Sequence, residues 1–284
     1  MKPKISVLMP VYNGEKFLTE AIDSVLNQSF KNFELIIVND GSTDGSAEII
    51  KRYNDNRIVV ITHKKNMGLV YSLNEGVSLC KSEYLARMDG DDISEKNRFK
   101  TQIEYLNDHT EVGLCGTWAK SINEAGIIVD YMIPPNNLLS RYNFWKPGVI
   151  IHPTLMIRTE LLKKYGYGNQ YDRAEDYDLW MRMGKDGVVI RNIPIFLYRY
   201  RINPNGISNS NRAEQEESSF RAFKDSFSSV CLNIEEYRSL VCFNFRLNVS
   251  KRYELLNKLK LETDYPVWFA IIDNINYLFR KYFA

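Results

Sequence analysis

Residues 34–44 read Glu-Leu-Ile-Ile-Val-Asn-Asp-Gly-Ser-Thr-Asp, an apolar run that ends in a polar loop. A continuous apolar run bounded by turn residues is typical of a strand buried on both faces of a parallel sheet. The loop after it lacks the Gly-x-x-x-x-Gly-Lys-Ser/Thr and Gly-x-Gly-x-x-Gly patterns. It therefore gives little support to an ATP-type phosphate loop or to a dinucleotide-binding loop.

The region around this strand alternates strand and helix through residue 92. Strands are predicted at residues 5–11, 34–38, 57–61 and 83–88, with helices at 17–26, 46–53 and 67–79 between them. This alternation predicts a parallel, doubly wound sheet, which binds its ligands at the carboxyl ends of the strands. Pro10 suggests that the first strand ends there, and Asn13 is predicted to cap the first helix.

The second half of the chain has a different pattern. It predicts helices at 95–106 and 175–183, a hairpin formed by 112–118 and 127–132, and short strands at 155–157, 188–190 and 195–200. No linker separates the two halves, so we expect one continuous sheet that is mixed in this half. After residue 205 strand signals stop, and residues 210–284 predict three or four helices.

The composition limits the class of protein. The 284 residues carry 37 Lys and Arg against 35 Asp and Glu, a net charge of +2, and 44% of them are hydrophobic. These values are typical of a globular protein and argue against nucleic-acid binding, collagen, coiled coil and disorder. Four scattered cysteines and three histidines argue against a zinc site and favour a reducing, cytosolic compartment. No secretory leader or apolar run of membrane-spanning length is found, so we expect no span.

A cluster of carboxylates, Asp89-Gly90-Asp91-Asp92, follows the fourth predicted strand. Adjacent carboxylates repel one another, so keeping them ionised together is costly unless a cation is bound. Oxygen ligands at a strand end suit Mg²⁺ or Mn²⁺, which would hold a diphosphate. The alternative is a solvated acidic turn in which Asp91 or Asp92 caps the following helix. An EF-hand is excluded, because no Glu stands twelfth from Asp89.

Four other positions carry side chains of the types used in catalysis or ligand binding. Most of them also have a simpler structural interpretation. Asp40, at a strand end, either accepts from the ring N–H of a ligand or bonds its own backbone in a turn. Glu175 and Asp176 begin a helix whose next turn is apolar, which suits either a general base or helix capping. His152 precedes a proline, where a turn residue is the simpler interpretation. Arg201 lies at a strand end, where it can meet a phosphate.

These pieces occur in an order that resembles one family. The ordered motifs are Ser6-Val-Leu-Met-Pro-Val-Tyr-Asn13, Ala21-Ile-Asp-Ser-Val-Leu-Asn-Gln28, residues 34–44, Asn66-x-Gly68, Asn74-x-Gly76, Ala86-Arg-Met-Asp-Gly-Asp-Asp92, His152-Pro-Thr154 and Ala174-Glu-Asp-Tyr-Asp-Leu-Trp180. Together they resemble the family 2 inverting glycosyltransferases over residues 4–205. The resemblance implies the GT-A fold, an α/β architecture with a Rossmann-like, mostly parallel sheet flanked by helices. It also implies sugar transfer from a nucleotide donor, usually UDP-linked, with inversion at the anomeric carbon.

The resemblance assigns roles to the matching positions. Asp176 matches the catalytic base that deprotonates the acceptor hydroxyl. Asp91 matches the main ligand of Mn²⁺ or Mg²⁺, and Asp89 lies near the metal and the ribose. The implied donor pocket contains Pro10, Tyr12, Asn13, Asp40, Asn66, Gly68, Arg87, Asp89 and Gly90, with Asp40 reading the uracil edge. The acceptor side is expected to include Glu175, Asp92 and His152.

One position departs from the family pattern. Many relatives carry Arg-x-His after the last strand, where the His can assist the metal or the diphosphate, and here Asn203 stands at the His position. Asn is a poor metal ligand and is not cationic at any pH. Diphosphate binding by this loop is therefore assigned to Arg201 or Ser208.

The implied domain organisation is a GT-A domain at residues 1–205 and a C-terminal helical extension at 206–284. Within the GT-A domain, residues 1–92 form the nucleotide-binding half and residues 93–205 form the acceptor half. The extension is rich in aromatic residues and lies outside the resemblance. Two interpretations stay open for it: contact with the inner leaflet of the cytoplasmic membrane, near a lipid-linked glycan acceptor, or a cap on the sheet that also forms a homodimer interface.

The resemblance favours a hexosyl- or N-acetylhexosaminyl-transferase of bacterial O-antigen, capsule or exopolysaccharide synthesis. Two other classes of protein fit the sequence less well. A sugar-nucleotide pyrophosphorylase needs an early Gly-rich loop with Arg and Lys, whereas residues 8–16 offer only Gly14. A non-catalytic module that binds a nucleotide sugar or a partner need not keep metal carboxylates and a base together, and this sequence has both.

Overall fold

The described residues form a mixed β-sheet with helices on both faces. The computed structural model describes residues 2–135, 144, 147–171, 173–203, 212–228, 230, 233–241, 255 and 258–259. The strands are β1 (Ile5–Val11), β2 (Phe33–Asn39), β3 (Ile58–Thr62), β4 (Tyr84–Arg87), β5 (Ile93–Ser94), β6 (Val112–Ile122), β7 (Ile128–Met132), β8 (Met156–Arg158) and β9 (Val189–Arg201). The helices are α1 (Leu18–Leu26), α2 (Ser46–Lys51), α3 (Leu69–Leu79), α4 (Arg98–Asp108), α5 (Thr159–Tyr165), α6 (Glu175–Lys185), α7 (Arg212–Ser226) and α8 (Ile234–Val241), with a 3₁₀ turn at His152–Thr154.

The strand order is β3-β2-β1-β4-β8-β6-β9-β5, and β7 also pairs with β6. β1 is parallel to β2 and β4, and β2 is parallel to β3, which confirms the doubly wound arrangement predicted for the first half. β8 is antiparallel to both of its neighbours, so the second half is mixed, as expected. The sheet is continuous across both halves.

Both faces of the central strands are buried, which explains their continuous apolar runs. All seven residues of β1 are buried. One face packs against α1 and α4 through side chains that include Val25 and Phe99. The other face packs against α3, α6 and α7 through Leu73, Trp180 and Phe223. Because helices cover both faces, ligand-binding side chains are left to the ends of the strands.

The first strand has the predicted bounds, because β1 is Ile5–Val11 and includes Pro10. A missing N–H close to the end of a strand removes only one donor from the ladder. The predicted helix cap beside it is wrong. Asn13 does not cap α1, which begins at Leu18 without a side-chain cap. The Asn13 side chain instead bonds to the loop after β2.

β9 also differs from the prediction. The strands expected at 188–190 and 195–200 are one strand, Val189–Arg201. Its pairing with β6 shifts register beside Trp118, where residues 194 and 195 are left out of the ladder. Residue 194 is a proline, which has no N–H to donate. The apolar pattern breaks at this irregularity, so the sequence indicates two strands.

The helices α7 and α8 are the described part of the predicted extension. α7 is tied to the region of α6, because Tyr171 Oη donates to Asp225 Oδ2 (2.8 Å) and Lys185 Nζ donates to Ser226 O (2.6 Å). The C-terminal part of the predicted extension, residues 260–284, lies outside the described residues, as does Ser208. The membrane and dimer interpretations of the extension therefore stay predictions. Of the helices that the structure describes, none is both long enough and apolar enough to cross a bilayer.

Candidate active site

The carboxyl ends of β1, β2 and β4 meet at one edge of the sheet. Tyr12 and Asn13 follow β1, Asp40 follows β2, and the acidic loop at 89–92 follows β4. Asn13 has a left-handed backbone (φ 52°), and its Oδ1 accepts from the backbone N–H of Thr43 (2.8 Å). This bond joins the loops after β1 and β2. The Tyr12 side chain is 51% exposed at this edge.

Two of the predicted donor-pocket residues contribute to this edge through their backbones. Pro10 is buried in β1, in register with Val38 of β2. Gly90 packs so closely on β1 that a Cβ there would lie 3.2 Å from Val11 Cγ2. Both residues therefore shape the edge through backbone packing.

The loop after β4 gathers three carboxylates. One oxygen from each of Asp89, Asp91 and Asp92 lies within 4.8 Å of the others. Asp92 is buried; its Oδ1 accepts from the Arg201 backbone N–H (2.6 Å), and its Oδ2 has no partner of hydrogen-bonding geometry among the described residues. Burial and the charge of Asp89 raise the pKa of Asp91 to about 6. Burial and the charges of Asp89 and Asp91 also raise the pKa of Asp92.

This donor set fits a divalent cation. It offers oxygen ligands only, and the buried carboxyl group of Asp92 has the Tyr198 hydroxyl as its side-chain neighbour. A bound Mg²⁺ or Mn²⁺ would relieve the repulsion that raises the pKa values of these carboxyls. The structure groups the two expected ligands, Asp89 and Asp91, with Asp92, which the family resemblance had placed on the acceptor side.

Arg87, the last residue of β4, is a buried positive charge at this edge. Its guanidinium forms an ion pair with Asp89, and its Nε is buried without a hydrogen-bond partner in the part of the chain that the structure describes. The charge of Arg87 also reaches Asp176, where it opposes the rise in pKa that burial causes. Arg87 is therefore electrostatically linked to both the acidic cluster and the predicted base.

Arg98, in the first turn of α4, is a residue that the sequence analysis missed. It is fully buried, and its Nη2 donates to Arg87 O (2.8 Å) and to Leu155 O (3.1 Å). Burial lowers the pKa of Arg98 to about 10. Arg98 thus fixes the backbone from which Arg87 projects. No sequence signal marks it, because an Arg in an amphipathic helix ordinarily faces solvent.

Arg201 does not reach the site as a free cation. Its buried guanidinium donates from Nε to Asp91 O (2.7 Å) and from Nη1 to Asn123 O and Glu124 O (3.1 Å each), and its Nη2 pairs with Glu20. Every nitrogen of the group is therefore bound to the protein. We assign Arg201 to the support of the acidic loop and not to the donor diphosphate, which corrects the expectation from the sequence.

Asp40 joins the end of β2 to the loop before α3. Its Oδ1 accepts from the Met67 N–H (2.8 Å), and its Oδ2 accepts from the Gly68 N–H (2.9 Å). Asn66 Oδ1 also accepts from the Gly68 N–H (2.9 Å), and Gly68 has a positive φ of 93°. His63 Nδ1 lies 2.7 Å from Asp40 Oδ1. The structure thus brings together three predicted base-pocket residues and adds His63.

Gly41 permits the close approach of this loop. Its φ is 67°, and a Cβ there would lie 2.3 Å from the carbonyl carbon of Lys65 and 2.6 Å from the nitrogen of Asn66. We expect Gly41→Ala to lower the free energy of unfolding by more than the about 1–2 kcal/mol of left-handed strain alone, and to weaken UDP binding. Denaturant unfolding and UDP titration measure the two effects.

The matched control is Gly126→Ala. Gly126 also has a positive φ of 78°, but no atom of the described residues lies within 4 Å of the position that a Cβ would take there. The Gly126→Ala variant therefore measures the effect of left-handed backbone strain without a steric clash. Equal losses of stability in the two variants, with UDP binding intact in both, would show that the contact between Gly41 and the 65–66 backbone is unimportant.

Glu175 and Asp176 occupy the first turn of α6, where the helix dipole favours anions. Glu175 is buried, and Asp176 is half-buried with its Oδ1 accepting from the Tyr177 N–H (2.7 Å). Burial raises the pKa of Asp176, against the opposing effects of the Tyr177 N–H and Arg87. A carboxylate with a raised pKa is a stronger base.

His152 lies in a buried wall beside α6. Its Nε2 is 2.9 Å from Tyr167 Oη, and its ring meets Trp180 edge-on. Burial, with the nearby charge of Arg87, lowers the pKa of His152, so the imidazole is neutral. Asn74 in turn holds the backbone of Tyr167. Asn74 Oδ1 accepts from the Tyr167 N–H, and Asn74 Nδ2 donates to the Tyr167 carbonyl oxygen (2.9 Å each). His152 is therefore buried, whereas the family resemblance implies that it contacts the acceptor.

The sheet and its acidic edge define a GT-A-type α/β protein. The family model described as glycosyl transferase family 2 matches residues 6–166. The chain belongs to glycosyltransferase family 2 and is a glycosyltransferase. Among relatives, it is 36% identical over 211 residues to the putative glycosyltransferase EpsE of Bacillus subtilis, covering 70% of this chain and 73% of EpsE. It is 35% identical over 223 residues to the O-antigen biosynthesis glycosyltransferase WbnJ of Escherichia coli, covering 76% and 86%.

Solved structures share the fold. S. aureus TarS in complex with UDP-GlcNAc aligns with a TM-score of 0.67 at 21% identity, over 93% of this chain and 82% of TarS. The mannosyltransferase PcManGT from Pyrobaculum calidifontis, in complex with GDP-Man and Mn²⁺, aligns with a TM-score of 0.65 at 15% identity, over 98% and 81%. These likenesses confirm the predicted GT-A architecture.

Proposed function

We propose that the chain is an inverting, metal-dependent glycosyltransferase that moves a sugar from a UDP-sugar to an acceptor hydroxyl. The observation that carries the proposal is the position of Arg87. Its guanidinium forms an ion pair with Asp89, and its charge also lowers the pKa of Asp176 against the effect of burial. The acidic cluster and the proposed base thus share one electrostatic environment. A displacement that passes a sugar from a diphosphate to a hydroxyl needs both groups at the same place.

In this proposal the donor binds at the edge formed by β1, β2 and β4. Asp89, Asp91 and Asp92 would hold Mn²⁺ or Mg²⁺, which when bound neutralises the charge that develops on the leaving diphosphate. Arg87 adds a fixed positive charge in the same buried place. Asp40 Oδ2 accepts one hydrogen bond and has capacity for a second, which suits the imide N–H of uracil.

In this proposal Asp176 is the general base on the acceptor side. As the acceptor oxygen attacks the anomeric carbon, the bond from that carbon to the diphosphate oxygen breaks, and the hydroxyl proton passes to Asp176. Attack from the face opposite to the leaving group inverts the configuration. The raised pKa of Asp176 makes it a stronger base toward this proton.

We further propose a hexosyl or N-acetylhexosaminyl donor and a lipid-linked glycan acceptor of a bacterial surface polysaccharide, such as O-antigen, capsule or exopolysaccharide. The name of the relative WbnJ, an O-antigen biosynthesis glycosyltransferase, supports this setting. A lipid-linked acceptor would place the enzyme at the inner face of the cytoplasmic membrane. The C-terminal extension is the proposed region of contact with that membrane or with a second subunit.

A donor panel tests the proposed function. The purified chain is offered UDP-glucose, UDP-galactose, their N-acetylamino counterparts and GDP-mannose, with Mn²⁺ or with EDTA, and release of the nucleoside diphosphate is followed. We expect Mn²⁺-dependent release of UDP from one UDP-sugar. Calorimetric titration with UDP provides a measure that needs no acceptor. Failure of UDP to bind in the presence of Mn²⁺ would contradict the proposed donor and the assigned metal site.

A further inference from the structure

His63 connects two carboxylates from opposite sides of its ring. It follows β3, and its side chain is 9% exposed. Its Nδ1 lies 2.7 Å from Asp40 Oδ1, and its Nε2 lies 2.6 Å from Glu75 Oε2. Asp40 stands at the end of β2 and Glu75 lies on α3, so the imidazole links the strand to the helix that flanks the base-pocket loop.

The hydrogen bonds of this bridge select one protonation state. An ionised carboxylate only accepts hydrogen bonds, and a neutral imidazole donates from only one of its two nitrogens. A neutral His63 would therefore set a nitrogen lone pair against a carboxylate oxygen, whereas the imidazolium donates to both partners. Burial alone would lower the pKa of His63, but the hydrogen bonds and charges of Glu75 and Asp40 raise it overall.

The surroundings of His63 are anionic. Asp40 faces it from β2, and Glu75 and Tyr71 face it from α3, with the Tyr71 ring edge-on at a centroid distance of 5.4 Å. The basic residue Lys64 follows it in the loop and is exposed. One imidazolium between two ionised carboxylates leaves a single net negative charge, while a neutral ring would leave two.

The bridge also restricts Asp40. Oδ1 of Asp40 is shared by His63 and the Met67 N–H, while Oδ2 takes the Gly68 N–H. A carboxylate oxygen has two lone-pair sites, so Oδ1 is filled and Oδ2 keeps one acceptor site. Rotation of the carboxyl group would break the bond to His63. The bridge therefore determines which carboxylate oxygen of Asp40 keeps an unused acceptor site.

We propose that His63 acts, as an imidazolium, as a positioning residue for the nucleotide base: it holds Asp40 so that this carboxylate orders the 66–68 loop and presents Oδ2 to the base. The inference rests on the proposed use of a UDP-sugar. Since the pKa of His63 is raised, the bridge is complete below the ordinary histidine value of about 6.5 and is lost as the pH rises through the raised value. Donor affinity should follow this titration.

Nitrogen NMR of the imidazoles tests the protonation state directly. The sequence has only three histidines, so a spectrum of ¹⁵N-histidine-labelled protein is simple, and the His63→Asn variant assigns the signal. We expect His63 to show two imidazolium-like nitrogens at pH 7. Glu75→Gln keeps an acceptor oxygen but removes the charge, and it should lower the titration midpoint of His63. A neutral His63 at pH 7 in the wild-type protein would overturn the proposal.

Donor binding tests the positioning role. The probe is the UDP-sugar selected by the donor panel, with saturating Mn²⁺; both of its phosphates are esterified and keep their charge between pH 6 and 9. We expect His63→Asn to raise Kd by about tenfold at pH 6.5, as for the loss of charge-assisted hydrogen bonds, and to flatten the decline in affinity that the wild type shows at higher pH. The kcat at saturating donor should change much less than Kd.

His109→Asn is the matched control, because His109 lies at the end of α4 and bonds locally to Tyr105 O. It should leave Kd and its pH profile unchanged. Equal Kd values and pH profiles for wild type and His63→Asn would overturn the positioning role while leaving the proposed donor intact. Absence of binding of every UDP-sugar to the wild type would instead overturn the proposed donor, and the role of His63 toward the uracil would fall with it.

Discussion

Asp176→Asn is expected to lower the kcat for sugar transfer by about 100-fold to 10,000-fold, equivalent to at least about 3 kcal/mol of transition-state stabilisation. Asn preserves the size of the side chain and its bond from the Tyr177 N–H, but it does not take up the proton of the acceptor hydroxyl. Donor affinity should stay close to that of the wild type. Product formation at saturating UDP-sugar, together with calorimetric donor binding, measures both quantities.

Asp108→Asn is the matched control for this substitution. Asp108 is exposed at the end of α4, just before the amino end of β6, and therefore lies away from the carboxyl edge of the sheet. The same chemical change should have no effect there. Near-normal transfer by Asp176→Asn would remove Asp176 as the base and leave its buried neighbour Glu175 as the next carboxylate to test.

Asp91→Asn should lower kcat/KM by at least about 100-fold, because it removes a charged ligand from the proposed metal site. The defect should be partly relieved at high Mn²⁺ concentration, since the other two carboxylates of the cluster remain. Electron paramagnetic resonance of free Mn²⁺ measures the affinity for the metal, and transfer measured against Mn²⁺ concentration gives the activity.

The thermal stability of the metal-free Asp91→Asn variant is a second measurement, and it should increase where the activity decreases. Burial and like charges raise the pKa of Asp91 to about 6, so at pH 7 its ionised form destabilises the metal-free protein relative to an unfolded chain with an ordinary pKa of about 3.9. Asp91→Asn should therefore unfold at a higher temperature than wild type in EDTA and gain less from added Mn²⁺. Unchanged Mn²⁺ affinity in the variant would contradict the metal assignment.

Much of the site could be predicted from the sequence because its parts are close in the chain. Asp89, Asp91 and Asp92 lie within four consecutive residues, so any turn after β4 gathers them. Asn66 and Gly68 form one loop, and the parallel order of β1, β2 and β4 places that edge beside Asp40. Hydrophobic periodicity sufficed for the doubly wound pattern of the first half, since each buried strand is a continuous apolar run.

Contacts between distant parts of the chain were not predictable in the same way. Arg201 was expected to offer a free cation at a strand end, yet its guanidinium pairs with Glu20, 181 residues away. His63 belongs to none of the motifs found in the sequence, and its proposed role depends on its contacts with both Asp40 and Glu75. Which charged side chain finds a partner is decided by packing, which a linear pattern does not encode.

The sequence by itself determined the family, the doubly wound first half, the acidic cluster and the candidate base, because local periodicity and ordered motifs specify them. Only the tertiary structure decided that Asp92 joins the cluster, that Arg201 supports the acidic loop and that His152 is buried and neutral. It also revealed the bridge through His63. The physical reason is that burial and charge pairing set hydrogen bonds and pKa values, and both arise only when separate strands and helices pack together.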